Sequence, residues 1–155
     1  MDRRNRVLTL HQGSYMRQVL KRYHMQDCNP TKLPLAPHLT FSQDDEPTYK
    51  PDLETIIEFR GKGGSLYYAM KQTRLDICYP LGILAKHMSN PGPAHINALH
   101  QLLRYLKGTQ DHSLAYVGQK RLEVWGYCDV LYNSCSMSAK SVTNWVTTVG
   151  GATLS

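Results

Sequence analysis

Asp129 is the residue of this chain whose type and setting point most clearly to metal-dependent chemistry. It lies in residues 122–130, a run of aliphatic and aromatic side chains that is typical of a strand. Mg²⁺ prefers carboxylate and water oxygens as ligands. Catalysis with two such ions needs several carboxylates, however, and residues 130–155 contain no Asp or Glu. We therefore expect Asp129 alone to be insufficient for this chemistry.

The histidines and cysteines do not form a second candidate site. The four cysteines are widely separated and none belongs to a Cys-x-x-Cys pair, which favours free thiols over a zinc module or a disulfide framework. His95 and His100 are five residues apart and would not share a helix face as an i, i+4 pair does. We expect neither to be a metal ligand.

Composition places the chain among folded proteins. With 41% apolar and 19% charged residues, its 155 residues fit one ordinary domain, or a small domain with an incomplete neighbour. No apolar run approaches the length of a membrane span, and the first residues lack the apolar stretch of a secretory signal. We expect an intracellular protein of the cytoplasm or nucleus that is not secreted and has no membrane partner.

Positive charge is concentrated near the start of the chain. The net charge is +6, and residues 1–32 hold seven Lys and Arg against two Asp. Such an excess suits a polyanion, and we expect weak, backbone-directed binding of nucleic acid. A solvated basic surface with no specific partner is the alternative. The residues expected to contact phosphates are Arg17, Lys21, Arg22, Lys71 and Arg74.

Apolar periodicity predicts four helices. Three glycines, Gly61, Gly63 and Gly64, could break the second helix and leave residues 65–70 as its firm part. Asp76 is positioned to cap the third helix. Pro93 suits the first position of the fourth, and Gly108 suits its C-terminal cap. The predicted helices cover residues 12–24, 52–72, 76–88 and 93–108.

Strand-like runs dominate the later part of the chain. Residues 118–120 predict a hairpin turn between the runs 114–117 and 122–130, and residues 150–151 predict a second turn. Further strands are predicted at residues 142–149 and 152–155, with a short strand or extended segment at 5–11. The proline-rich residues 29–51 predict a surface linker. The predicted fold class is α+β, with helices followed by a mainly antiparallel sheet.

Six short segments resemble signatures of the reverse transcriptase of copia-type (pseudovirus-class) LTR retrotransposons, and they follow one another in the same order as in that family. Residues 8–20 are also similar to the family segment that follows the polymerase palm. Each segment alone is weak, whereas six in order with plausible spacing are strong, and the match as a whole extends over nearly the whole chain. The six segments are residues 59–60 (FR), 64–68 (GSLYY), 73–77 (TRLDI), 88–91 (MSNP), 103–109 (LRYLKGT) and 126–129 (GYCD).

This resemblance implies a polyprotein fragment. Residues 1–112 would form a post-palm helical region, like a thumb or connection, and residues 113–155 a truncated start of a ribonuclease H-like sheet. The paired polymerase aspartates of the family would lie upstream, and the Asp44-Asp45 pair in the linker is no substitute for them. The rest of the polyprotein is then an expected partner.

The resemblance also implies a role for Asp129. It matches the first of the carboxylates with which ribonuclease H holds two Mg²⁺ ions to cleave the RNA of an RNA/DNA hybrid. The family's further Glu and Asp positions are missing or lie beyond residue 155, so we expect no Mg²⁺ cofactor for this chain alone. Departures from the family pattern at Leu75, Leu131, Ala139 and Asn144 are typical of a copy no longer held to catalysis.

Three hypotheses of function follow. The leading one is a catalytically incomplete fragment of the reverse transcriptase and ribonuclease H region. The second is a non-catalytic module that binds the backbone of nucleic acid. The third is part of an active enzyme that is completed by missing sequence. In all three, Tyr67, Tyr68 and Tyr105 are expected to be core or interface aromatics rather than base-stacking platforms.

Overall fold

The computed structural model describes residues 1–37, 39, 41, 51–118, 123–131 and 142–154. These residues form α-helices and antiparallel strands, which is compatible with the predicted α+β class. A short 3-10 helix, Leu75–Ile77, precedes the third α-helix. The helices are α1 (Gly13–Arg22), α2 (Leu53–Gln72), α3 (Cys78–Ala85) and α4 (Pro93–Gly108). The strands are β1 (Val7–His11), β2 (Ser113–Val117), β3 (Val124–Leu131), β4 (Val142–Val149) and β5 (Ala152–Thr153).

Internal contacts divide the chain into two compact units. The helical unit comprises Gln12–His112, and the strand unit comprises Met1–His11 together with Ser113–Ser155. The family resemblance implies one region for residues 1–112. The structure groups residues 1–11 with the strands instead, because β1 obtains the hydrogen-bond partners of its backbone from β2.

Helices α1 and α4 confirm the predictions from apolar periodicity. Pro93 begins α4, as predicted, and Thr109 rather than Gly108 is its C-terminal cap. Each fully buried leucine stabilises the fold by about 1.5–3 kcal/mol relative to an exposed one. No helix in the described part of the chain is long and apolar enough to cross a membrane. The buried residues of these two helices include Met16, Val19, Leu20, Leu99, Leu102, Leu103 and Leu106.

Helix α2 is continuous through its glycines, so the expected break is wrong. Gly63 is buried, and a Cβ added there would collide with the Met88 side chain. The absence of a side chain at Gly63 therefore allows close packing, which compensates for the low helix propensity of glycine. Asp52 begins the helix, since its side chain accepts a hydrogen bond from Thr55 N at 2.9 Å.

The predicted capping role of Asp76 is also wrong. Asp76 lies inside the 3-10 helix, and α3 starts at Cys78 with no side-chain cap on its first turn. The carboxylate of Asp76 is instead bound by Arg74 and Tyr105. Its interaction with a buried guanidinium replaces the weaker hydrogen bond of a cap.

The described part of the proline-rich segment has no regular structure and packs on α4. The carbonyl of Asn29 accepts a hydrogen bond from Arg104 Nε at 2.6 Å, and the carbonyl of Cys28 accepts one from Lys107 Nζ at 2.6 Å. Phe41 is buried in the helical core. The remainder of the predicted linker, residues 38, 40 and 42–50, lies outside the described residues.

The strands form two antiparallel sheets within the strand unit. One pairs β1 with β2 from Val7↔Val117 to His11↔Ser113. The other has the order β3-β4-β5. The predicted hairpin between β2 and β3 is therefore wrong, because both strands pair with other partners. The predicted turn at Gly150 and Gly151 is confirmed, and both residues have positive φ values, +58° and +83°.

Candidate nucleic-acid interface and Asp129

Asp129 lies in β3, where its backbone pairs with Asn144 of β4. None of the other residues of β3, β4 and β5 carries a carboxylate. Among all residues that the structure describes, no group of three His, Cys, Asp or Glu side chains could hold a metal ion. Because two Mg²⁺ ions need several carboxylates, this donor set does not fit the two-metal site that the family resemblance implies.

The three cations predicted on α1 are exposed but occupy two flanks of the helix. Arg17 and Lys21 are neighbours four residues apart, as predicted. Arg17 Nη1 lies 3.8 Å from Asp111 Oδ1, an exposed ion pair that contributes little to stability. Arg22 follows Tyr15 by seven residues, two helical turns, and so shares the flank of that tyrosine.

The flank of α1 that carries Tyr15 adjoins a group of exposed aromatic rings on α2. The Tyr15 hydroxyl donates to the Ser65 carbonyl at 3.1 Å, and its ring packs edge-on against Tyr68 with centroids 5.0 Å apart. Tyr67 and Tyr68 are each 52% exposed, so they do not lie in the core, and the alternative expectation that they are interface aromatics stays a prediction. Lys71 is exposed, with its Nζ 5.6 Å from the centroid of the Tyr67 ring.

Arg74 occupies a position that does not suit phosphate binding. It is only 2% exposed, and its guanidinium donates to both oxygens of Asp76 at 2.9 and 2.7 Å. It also donates to the carbonyl and hydroxyl of Thr109 at 2.8 and 2.6 Å. Its positive charge is compensated inside the helical unit, so we remove Arg74 from the predicted nucleic-acid surface. The sequence showed its charge but not its burial.

Asp76 joins Arg74 to the aromatic ring of Tyr105. The Tyr105 hydroxyl donates to Asp76 Oδ2 at 2.8 Å. Burial acts to raise the pKa of Asp76, but hydrogen bonds from Arg74 and its positive charge outweigh burial and lower that pKa. Burial and the hydrogen bond to Asp76 raise the pKa of Tyr105. The three groups form a structural network between the 3-10 helix and α4.

A second polar cluster surrounds Lys62 and was missed by the sequence analysis. Lys62 is 6% exposed, and its Nζ lies 2.6 Å from Glu58 Oε1 and 3.0 Å from His100 Nε2. Its Nζ also lies 5.8 Å from the centroid of the Tyr23 ring. Burial, and then the charge of Lys62, lower the pKa of His100. The i, i+4 spacing of Glu58 and Lys62 was the available signal.

His95 has a role at the start of α4. Its Nδ1 accepts a hydrogen bond from Gly92 N at 2.9 Å, which requires that this ring nitrogen be unprotonated. The ring stacks on His87 with centroids 3.9 Å apart, and Phe41 packs against both. Both histidines are buried, so the pair belongs to the core of the helical unit.

Comparison with known proteins gives a consistent relationship. Over 156 residues the chain is 33% identical to the retrovirus-related Pol polyprotein from transposon TNT 1-94 of Nicotiana tabacum, covering 99% of the chain and 12% of that polyprotein. It is 36% identical over 124 residues to the Pol polyprotein from transposon RE2 of Arabidopsis thaliana, covering 79% of the chain and 8% of the relative. The chain is homologous to retrotransposon Pol polyproteins.

A third relative is a much shorter protein. The chain is 33% identical over 143 residues to an uncharacterized mitochondrial protein of Arabidopsis thaliana, covering 92% of the chain and 57% of that protein. The chain thus spans a small part of the Pol polyproteins and just over half of this mitochondrial relative. No protein-family profile matches the chain. No solved structure matches it either.

Proposed function

We propose that this chain is a fragment of the reverse transcriptase and ribonuclease H region of a copia-type retrotransposon polyprotein, inactive in both reactions on its own. The observation that carries this proposal is the similarity of 99% of the chain to one Pol polyprotein. The six segments that resemble reverse transcriptase signatures support a place after the polymerase palm. Residues 113–155 would then be the start of a ribonuclease H-like sheet.

The proposed lack of ribonuclease H activity rests on the small number of carboxylates that could bind metal ions. When bound to a complete site, two Mg²⁺ ions activate a water and stabilise the leaving oxygen of the RNA. Asp129 would be one ligand, and no Asp or Glu follows it in this sequence. Activity would return only if other parts of a polyprotein supplied the remaining carboxylates, which is the alternative of a completed enzyme.

A cleavage assay tests this proposal. The purified chain is incubated with a labelled RNA/DNA hybrid and Mg²⁺, alongside the Asp129→Asn variant as the control for contaminating nuclease. We expect the same background cleavage from both proteins. Magnesium-dependent cleavage by the natural chain that is absent from the variant would contradict the proposal. A primer-extension assay on an RNA template should likewise give no DNA product.

We also propose a second function, weak binding of a nucleic-acid backbone by exposed cations of the helical unit. Arg17, Lys21 and Arg22 on α1 and Lys71 on α2 support it, since all four side chains are exposed. Arg17 is the weakest member because Asp111 lies near it. Phosphate contacts of this kind provide affinity without sequence readout, so an RNA/DNA hybrid is one of several suitable ligands.

Salt dependence and charge removal test this surface. Binding of a fluorescent RNA/DNA hybrid should weaken strongly as salt rises from about 50 to 200 mM, since phosphate contacts release counterions. The Lys21→Gln, Arg22→Gln double variant should bind several-fold more weakly. Lys32→Gln is the matched control, because Lys32 is exposed and lies outside the helices. Affinity that stays flat with salt, or equal losses in the variant and the control, would contradict the proposal.

A further inference from the structure

Residues 2–7 form a closed turn that carries three arginines. The backbones of Asp2 and Val7 exchange two hydrogen bonds of 2.8 and 3.0 Å. The Asp2 carboxylate accepts hydrogen bonds from Arg4 N at 3.0 Å and from Asn5 N and Nδ2 at 3.2 and 2.7 Å. Arg6 closes the turn with a positive φ of 54°, and its carbonyl accepts a 2.7 Å hydrogen bond from Gly118 N. The turn is therefore ordered by its own backbone and anchored to the end of β2.

The guanidinium groups on this turn have no anionic partner within the described residues. Arg3, Arg4 and Arg6 are exposed, and none forms an ion pair with another described residue. Asp2 is the acidic residue of the turn, and its carboxylate is bound by the N–H groups named above. Guanidinium groups without a counter-charge can form charge-assisted hydrogen bonds with a phosphate.

Two of these arginines line a cavity in the strand unit. The cavity has a volume of about 410 Å³, within the range of roughly 300–1,000 Å³ that is usual for small-ligand sites. Arg4, on the same turn, is not among its lining residues. The Tyr116 hydroxyl donates to the Thr153 carbonyl at 2.8 Å, which fixes the aromatic ring beside the cavity. The lining residues that matter here are Arg3, Arg6, Leu8, Tyr116, Val117 and Val149.

We propose that this cavity binds one nucleotide unit of a nucleic-acid strand, with its phosphate at Arg3 and Arg6 and its base against Tyr116. Arginine side chains beside an aromatic ring and aliphatic walls suit a ligand that is anionic at one end and flat and apolar at the other. A nucleotide has this chemistry. The site lies in the strand unit and shares no residue with the proposed α1 and Lys71 surface, so the two can fail independently.

Fluorescence anisotropy with a labelled oligothymidylate of about eight nucleotides, a length in the range bound by single-strand sites, tests the proposal on the full chain. The Arg3→Gln, Arg6→Asn double variant should bind about tenfold more weakly, since it loses two charge-assisted contacts. Asparagine is chosen at position 6 because it tolerates a positive φ. Arg4→Gln is the matched control, and a change below about twofold is expected because Arg4 lies outside the cavity.

The aromatic wall is tested separately. Tyr116→Leu should weaken binding several-fold, whereas Tyr116→Phe, which keeps the ring, should have little effect. The binding site is located by NMR. The amide signals of Gly118, Val149 and Gly150 should shift when the unlabelled oligonucleotide is added to the natural chain. This reading holds even if a variant unfolds the turn.

Three outcomes would overturn the proposal. They are no binding by the natural chain, an equal loss in Arg4→Gln and the double variant, and NMR shifts restricted to residues of the helical unit. The last outcome would leave the α1 and Lys71 surface intact. Loss of hybrid binding in Lys21→Gln, Arg22→Gln with unchanged shifts at Gly118 and Gly150 would instead separate the two sites.

Discussion

The helical unit and the strand unit of this chain differ in how far they bury large apolar side chains. In the helical unit, Leu66, Leu102 and Leu103 have no exposed surface. In the strand unit, Trp125 and Trp145 are 58% and 68% exposed. Burial of apolar surface is the main favourable term in folding, so most of the stability should reside in the helical unit.

Backbone pairing is extensive in the strand unit. Its β3 and β4 strands pair over eight residues, from Val124↔Val149 to Leu131↔Val142. A sheet with exposed aromatic residues on its surface needs covering to become stable, and large exposed apolar patches usually mark interaction surfaces. The comparison therefore predicts two different responses to mutation, one for each unit.

Leu102→Ala should give the largest effect. The substitution leaves a cavity in the fully buried face of α4 and should reduce the free energy of unfolding by about 3 kcal/mol. Urea denaturation followed by circular dichroism at the helical minimum measures this change. Trp145→Ser is the contrasting variant and should change stability by less than about 0.5 kcal/mol. A larger loss in Trp145→Ser would reverse the comparison between the units.

Arg74→Met should give the next largest effect. It should lower the free energy of unfolding by about 2 kcal/mol, because it leaves the Asp76 carboxylate without its buried partner. The pKa of Asp76 should then rise, since burial would no longer be opposed by the guanidinium. NMR titration of the Asp76 carboxyl carbon measures this rise directly. Exposed Arg22→Met serves as the control. An unchanged Asp76 pKa would show that Arg74 does not stabilise the carboxylate.

Gly150→Ala should destabilise the strand unit by about 1–2 kcal/mol, because its φ of +58° disfavours a side chain. An added Cβ would also lie 3.1 Å from the Val117 carbonyl oxygen. Gly126→Ala is the matched control, since nothing lies within 4 Å of a Cβ there. Amide hydrogen exchange should show faster exchange in the strands with unchanged helices. Equal acceleration in both units would mean that they unfold together.

The smallest effect concerns pH. Burial and Lys62 lower the pKa of His100 below its ordinary value of 6.5, so folding favours the neutral ring. As pH falls through 6.5 toward the lowered pKa of the folded state, the unfolded state binds a proton first and the stability from the neutral ring is progressively lost. The urea midpoint should fall on acidification less in His100→Gln than in the natural chain. If the urea midpoint fell equally with pH in both proteins, His100 would not account for the loss of stability.

Local features of the sequence predicted the elements whose signals are also local. Apolar spacing located α1 and α4, and the two glycines at 150 and 151 located a turn. Helix α2 shows where this reasoning fails. Gly63 packs against Met88, and propensity scales do not include such a contact between residues 25 positions apart.

The errors at the candidate site have the same origin. Arg74 and Lys62 have local partners in Asp76 and Glu58, but they also bind Thr109 and His100, which lie more than 30 residues away. The burial of the two charges therefore could not be predicted from local sequence. The pairing of β2 with β1 rather than β3 is likewise a long-range choice. Asp129 shows both situations. Its place in a strand could be predicted from local sequence, whereas the proposal that it cannot support catalysis depends on which other carboxylates lie near it.

The pairing of His11 with Ser113 has a consequence for how the chain folds. These two paired residues flank residues 12–112, which form the whole helical unit. Forming the β1–β2 ladder therefore closes a loop that contains this unit. Closing such a long loop in an unfolded chain costs considerable entropy. We expect the helices to condense first, which shortens the distance between the loop ends, and the ladder to form as a late event.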